Sequence, residues 1–288
     1  MKMPDGIDAS TLAELKNLSC EAGQRILEIY KNDSGFTVEY KRDQSPVTQA
    51  DLVANQCLLE GLAALTPDLP IISEEGDLPA FNERQRWPTY WLIDPLDGTK
   101  GFINRNDEFT VNVALIHKGS PILGVVHVPV SGVTYTGSVS GGAHRWQCGL
   151  SEVIRVRRLS HQISKGLPID VVTSRQIRSQ KVLQLCRSIQ QQLGPVDCQS
   201  YGSSLKLCQV AAGEADLYPR FSPTSEWDTA AAQAIVEAAG GHVTDNLLKP
   251  LSYNQKASWL NPDFFVMGDT PERWSSVLVD SAVKPSSG

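Results

Sequence analysis

No apolar run in this 288-residue chain approaches the length of a membrane-spanning helix, and Met1 to Asp5 lack the apolar core of a secretory signal. No Cys-x-x-Cys pair occurs among the six cysteines, at 20, 57, 148, 186, 198 and 208. They read as buried or reduced thiols, not as a disulfide framework. The five histidines (117, 127, 144, 161 and 242) lack metal-ligand spacing. Basic charge is in deficit, with 26 Lys and Arg against 32 Asp and Glu and a net charge of −6. That balance argues against a general nucleic-acid binder, although cations allow an acidic protein to take a polyanionic substrate. There is no internal repeat and no low-complexity segment. A cytoplasmic protein of ordinary globular composition is the expectation.

What is present falls into two halves. Residues 8 to 30 repeat apolar side chains at helical spacing, with Thr11 and Glu14 as a candidate capping box. Phe36, Val38 and Tyr40 alternate like a strand. A second helix follows Pro46–Asp51 through Leu58, Leu62 and Leu65 until Pro67 and Pro70 stop it. Short strands are expected at Ile71–Ser73 and Tyr90–Ile93, a loop over 77–88, and an antiparallel meander over 109–117, 121–129 and 133–139. The second half reads as an α/β layer. It has strands near 169–172, 216–220, 243 and 264–267, and helices over 178–193, 203–212 and 228–239, the last closed by Gly240. The chain is read as one unit with subdomains of about 1–155 and 156–288, and its tail from Ala282 as frayed.

Three carboxylates and two threonine hydroxyls, of which Thr99 is the one of interest, sit in two short segments, Asp94-Pro95-Leu96-Asp97-Gly98-Thr99 and Trp227-Asp228-Thr229-Ala230-Ala231. Clustered carboxylates are usually held by a hard divalent cation. Pro95 fixes its φ and keeps Asp94 extended. The apolar Leu96 offers only its carbonyl, Gly98 allows a tight turn, and Thr99 opens a helix whose N–H groups favour phosphate. The plainer alternative is an Asx-turn with an Asp cap. A calcium EF-hand loop fails, since Leu96 and Thr99 occupy its third and sixth positions.

Glu74 ends an apolar strand; if that strand lies beside Tyr90–Ile93, Glu74 comes close to Asp94. Asp228 alone reads as a helix N-cap, and Asp51 alone as a first-turn acid favoured by the helix dipole. Asp51 gains interest because the Thr99 hydroxyl needs a carboxylate partner to orient an attacking water.

Together Val47–Asp51, Ser73-Glu74-Glu75, Trp91–Thr99 and Glu226–Ala231 resemble the inositol monophosphatase superfamily, in family order over about 47–241. The resemblance implies a layered α+β or α/β sandwich (αβαβα) of the inositol monophosphatase/fructose-1,6-bisphosphatase kind. It implies Mg²⁺, two or three ions, at Glu74, Asp94, the Leu96 carbonyl, Asp97 and Asp228, with Li⁺ as an inhibitor. Asp51 and Thr99 would activate water. Substrate contacts would fall on Glu74, Asp97, Gly98, Thr99, Ser174, Gly202, Lys206 and Asp228.

Gly202–Lys206, Ala215–Arg220 and Pro223–Asp228 are most like the bacterial 3'(2'),5'-bisphosphate nucleotidase branch. The implied reaction removes the 3'-phosphate of 3'-phosphoadenosine 5'-phosphate, a by-product of sulfate assimilation, with the 5'-phosphosulfate as a second substrate. Lys206 is the cation expected at the 5'-phosphate, with Arg220 either beside it or a structural ion-pair residue. One departure stands out: eukaryotic nucleotidases carry Thr-Arg-Ser-His where this chain has Ser174-Arg175-Gln176-Ile177. The missing histidine leaves base and 5'-phosphate recognition open. The rivals are an inositol or sugar phosphatase of the same fold and a non-catalytic nucleotide or metal sensor. The expected partner is a small nucleotide bisphosphate, with no nucleic acid, no transmembrane segment and a homodimer as the assembly considered. Relatives of this branch are also assigned to the inner face of the plasma membrane.

Overall fold

The computed structural model describes residues 7–32, 38–40, 46–174 and 179–282. Phe36, Arg175 to Ile177 and the tail from residue 283 lie outside these.

Helix α1 (Ala9–Tyr30) begins where Asp8 accepts the Ser10 and Thr11 N–H groups at 2.8 and 3.2 Å. Thr11 Oγ1 accepts the Asp8 N–H in return. The capping pair is therefore Asp8 and Thr11, one turn before the expected Thr11 and Glu14, because a carboxylate at position 8 already meets the first free N–H groups. A short antiparallel pair, β1 (Val38–Tyr40) and β2 (Pro46–Thr48), leads to α2 (Gln49–Leu65). Next come β3 (Ile71–Ser73), the single turn α3 (Phe81–Arg84) within the expected loop, β4 (Thr89–Asp97) and α4 (Thr99–Ile103).

The meander follows as β5 (Thr110–His117), β6 (Ser120–Val128) and β7 (Val133–Ser138). It runs on through β8 (Gly142–Gln147) and β9 (Leu150–Val153), two strands not foreseen. Their burial is weak, and β9 is wholly exposed, so neither shows an apolar alternation. Strands β3 to β9 form one sheet in chain order, antiparallel except for the parallel β3–β4 pair.

After α5 (Leu159–Lys165) come β10 (Ile169–Ser174), α6 (Gln180–Gln192), β11 (Val196–Tyr201) and α7 (Leu205–Ala211). The chain closes with β12 (Leu217–Arg220), α8 (Glu226–Ala238), β13 (His242–Asp245), β14 (Phe264–Met267) and α9 (Pro271–Ala282). The second sheet has the order β11-β10-β12-β14-β13. It is parallel at β11-β10-β12 and antiparallel beyond. Helices α5 and α9 and strand β11 were not read from the sequence. Burial explains β11: its pattern is one intermediate residue, four exposed and one intermediate.

The layers are helix, sheet, helix, sheet, helix. Helices α1 and α2 cover one face of the first sheet through Leu15, Ile26, Leu58, Trp91, Ile93, Val113 and Val125. Helices α7 and α8 fill the space between the sheets through Leu207, Ala230, Ala231 and Ile235. Helices α5, α6 and α9 close the outer face of the second sheet around Leu159, Ile189, Phe265 and Trp274. The alanines let α8 lie very close to the first sheet. A Cβ at Gly124 would sit 2.1 Å from the Ala231 carbonyl oxygen, so only glycine fits there. This approach brings the start of α8 to the end of β4 and assembles the site. No helix among the described residues is long and apolar enough to cross a membrane.

Candidate active site

Asp94 and Asp97 are three positions apart, and a regular strand would aim them at opposite faces. The β4–β5 ladder breaks that alternation. Asp94 pairs with Asn112 and Asp97 with Thr110, so three steps on β4 oppose two on β5. The extra residue is a bulge at Pro95-Leu96, where proline has no N–H to lose. Asp94 Oδ1 accepts the Leu96 N–H at 3.1 Å, fixing its side chain. Parallel pairing of Ser73 with Ile93 puts Glu74 beside Asp94, as anticipated.

Two helices point their first turns at this bulge with the same device. In α2, Thr48 is the N-cap and Asp51 Oδ2 accepts both the Thr48 N–H (2.8 Å) and its hydroxyl (2.6 Å). Asp51 Oδ1 then accepts the Thr99 hydroxyl at 3.1 Å. In α8, Ser225 is the N-cap and Asp228 Oδ2 accepts its N–H at 2.9 Å. Asp228 is therefore the third helical residue, not the cap. The cap position belongs to the serine three residues earlier, which leaves the second Asp228 oxygen for the site. Gly98, with φ of +98°, caps α4, and a Cβ there would meet the Glu108 carbonyl oxygen at 2.8 Å.

Carboxylate oxygens of Glu74, Asp94 and Asp228 lie within 4.8 Å of one another. Burial holds the Asp94 carboxyl well above the usual carboxylate range, and Glu74, Asp97 and Asp228 push it further. Burial raises Asp228 too, with Asp97 and Glu74 adding to it. Asp97 stands beside this trio; burial raises it and the Lys206 ammonium opposes the rise. Asp97 Oδ2 accepts the Ser204 N–H at 2.6 Å. Asp51 is raised by burial against the pull of its Thr48 and Thr99 hydrogen bonds. An all-oxygen set of crowded, desolvated carboxylates fits a hard divalent cation, which would relieve their repulsion. The residues present therefore suit Mg²⁺.

A cavity of about 240 Å³ opens from Asp97, Gly98 and Asp228 towards Ser174, Gly202, Lys206 and Arg220. Lys206 is only 5% exposed, and its Nζ donates to the Tyr201 and Ser203 carbonyls. Burial lowers its pKa to about 8, with Asp97 resisting. Arg220 donates to Ser174 Oγ at 2.6 Å and to the Ser222 and Pro223 carbonyls. Gly202 N–H donates to Glu108 at 2.8 Å.

Asn112 escaped the sequence reading. Its Oδ1 accepts the Ser204 hydroxyl at 2.9 Å and joins the Asp97 turn to α7. The usable signal was an amide inside the apolar run Val111–Leu115, since a buried amide must find partners.

The sequence profile of the inositol monophosphatase family matches residues 8–268. The chain belongs to the inositol monophosphatase family. It is 48% identical over 255 residues to the 3'(2'),5'-bisphosphate nucleotidase CysQ of Salmonella typhimurium, covering 88% of this chain and 98% of that protein. Identity to the protein of the same name from Haemophilus influenzae is 37% over 262 residues, or 91% and 94% of the two chains. Among solved structures it is similar to CysQ from Bacteroides thetaiotaomicron, a bacterial member of the family. That match has a TM-score of 0.73 and 36% identity, covering 90% of this chain and 97% of that one. Family membership spans both sheets, so the bulge on β4 and the start of α8 lie within one family unit.

Proposed function

We propose that this inositol monophosphatase family member is a Mg²⁺-dependent 3'(2'),5'-bisphosphate nucleotidase. It would hydrolyse the 3'-phosphate of 3'-phosphoadenosine 5'-phosphate, and of its 5'-phosphosulfate, to inorganic phosphate and the 5'-nucleotide. The observation that carries the substrate class is 48% identity to a nucleotidase over nearly its whole length. Glu74, Asp94, the Leu96 carbonyl, Asp97 and Asp228 would hold the metal. When bound, Mg²⁺ supplies positive charge that eases ionisation of water and stabilises the leaving oxygen.

The chain's own groups do the rest. Asp51, anchored by Thr48, accepts the Thr99 hydroxyl, so a Thr99 lone pair is left to accept a hydrogen from the attacking water. Asp51 is the terminal proton acceptor of that pair. Gly98 and Thr99 hold the scissile phosphate through backbone N–H groups. The Ser174, Lys206 and Arg220 end of the cavity takes the second phosphate, with Gly202 against the nucleotide. We place the enzyme in the cytoplasm.

Phosphate release from the nucleotide bisphosphate, inositol 1-phosphate and fructose 1,6-bisphosphate, with and without Mg²⁺, tests this reading. Preference for the nucleotide supports it. Faster release from either of the other two overturns the substrate, and no metal-dependent release overturns the enzyme.

A further inference from the structure

Two of the six cysteines meet in the folded chain. Cys186 on α6 and Cys198 on β11, twelve positions apart, bring their Sγ atoms to 3.5 Å. Strand β11 is an edge of the second sheet, Cys198 is exposed and Cys186 is partly exposed. Of the other thiols, Cys148 is exposed and so open to oxidants as well, but it is not part of this sulfur pair. Cys57 and Cys208 are buried, and burial pushes both thiols up. Cys20 meets His127 and Thr134, at 3.7 and 3.6 Å. Thiol–disulfide exchange needs solvent access and a second sulfur within reach, and the Cys186–Cys198 pair has both.

The surroundings hold the pair in place. Cys186, Leu193 and Val196 all pack on the outer cluster with Leu185 and Ile189. Val196 and Cys198 share one side of β11, because strand side chains alternate. The two sulfurs would close from 3.5 Å to the roughly 2 Å of a covalent S–S bond. We propose that Cys186 and Cys198 form a reversible disulfide that ties α6 to β11.

The oxidant is a small-molecule disulfide of the glutathione class. The exposed Cys198 loses its proton and attacks one sulfur of the oxidant, releasing one small thiolate. Cys186, deprotonated in turn, attacks the Cys198 sulfur, forms the internal bond and expels the second small thiolate. Two protein thiols lose two protons and two electrons, and the oxidant is reduced to two thiols. A reducing thiol reverses each step.

The bond would act close to the candidate site. Strand β11 ends at Tyr201, which pairs with Ser174, and its carbonyl accepts from Lys206. Tyr201 and Gly202 line the cavity. A covalent tie at Cys198 therefore restrains the strand that forms this wall, and that consequence rests on the proposed function.

The native full-length protein is incubated with oxidised glutathione, blocked with N-ethylmaleimide, digested and weighed by mass spectrometry. The expected result is a linked Cys186–Cys198 peptide pair, lighter by two hydrogens, with neither of these two cysteines alkylatable and full recovery of both in dithiothreitol. Cys186→Ser and Cys198→Ser should each lose the linked species. Separate peptides in the oxidised wild type, or glutathione retained on Cys198 with Cys186 still alkylatable, overturn the proposal. The wild-type result decides even if a serine variant fails to fold. Coupling to the cavity is read from KM, which oxidation should shift in the wild type and leave unchanged in Cys198→Ser. Equal shifts in both overturn the coupling. Because the linked peptide is detected without substrate, a wrong substrate assignment leaves the bond result standing.

Discussion

Two buried carboxylate groups in this molecule solve the same electrostatic problem differently. At the foot of the second sheet, Arg157 bridges Asp170 and Asp216 at 2.6 and 2.9 Å. Asp216 Oδ2 also accepts the Asp170 N–H at 2.8 Å. Burial raises Asp216, but the guanidinium pulls it back. At the end of β4, Asp94 and Asp228 have no ion-pair partner among the described residues, and neighbouring carboxylates add to the effect of burial. The first cluster carries its own cation and is structural. The second gathers negative charge, with no described cation bridging Asp94 and Asp228 and Arg220 only partly offsetting the rise of Asp228, and it is stable only if protons or an added cation neutralise it.

Asp94→Asn separates the two kinds of cluster most sharply. It should lower phosphate release by at least about 10³-fold, since bound metal is worth several kcal/mol of charge stabilisation. The same substitution should raise Tm in chelator, because it removes a carboxylate that burial and its neighbours disfavour as an anion. Near-normal turnover would take Asp94 out of the metal set. Thr99→Ala tests the Asp51 side of the site. Its kcat should fall by about 10²–10⁴-fold, the usual worth of proton-transfer assistance, with Tm little changed. An unaltered kcat would remove the Asp51–Thr99 pair from the chemistry.

Arg157→Met should do the opposite of Asp94→Asn. It strands Asp216, 1% exposed, without its cation and should cost about 2–4 kcal/mol in urea unfolding. A neutral outcome would erase the contrast between the clusters. The smallest effect lies in pH. In chelator, native Asp94 keeps its proton to higher pH than the unfolded chain, so its stability contribution is lost as pH rises through the folded value. The Tm advantage of Asp94→Asn over wild type should therefore widen from about pH 5 to about pH 7.5 and shrink when Mg²⁺ is added. A constant gap would mean that Asp94 is not held up by its neighbours.

Much of the candidate site was legible in the sequence. Asp94, Asp97, Thr99 and Asp228 stand in compact segments, and strand Ile71–Ser73 predicted where Glu74 would end. Their geometry was not legible. The bulge between Asp94 and Asp97 depends on pairing with β5, which no local pattern reveals. Asp228 read as an N-cap because the preference for acids near helix starts does not separate the cap from the third residue. Strands β9 and β11 are mostly exposed edges and β8, beside β9, is only partly buried, so none of them shows a sustained alternation of apolar and polar residues. Lys206 was expected at the substrate's 5'-phosphate, and no local pattern revealed that its ammonium is buried against the Tyr201 and Ser203 carbonyls, beside the turn where Ser203 has φ of +40°.

The central claim is that the Glu74, Asp94 and Asp228 cluster is built for a divalent cation. Calorimetric titration of Mg²⁺ into metal-free wild type and Asp94→Asn tests it most directly. The account predicts saturable binding to the wild type that is lost in the variant, whereas equal binding to both would contradict it.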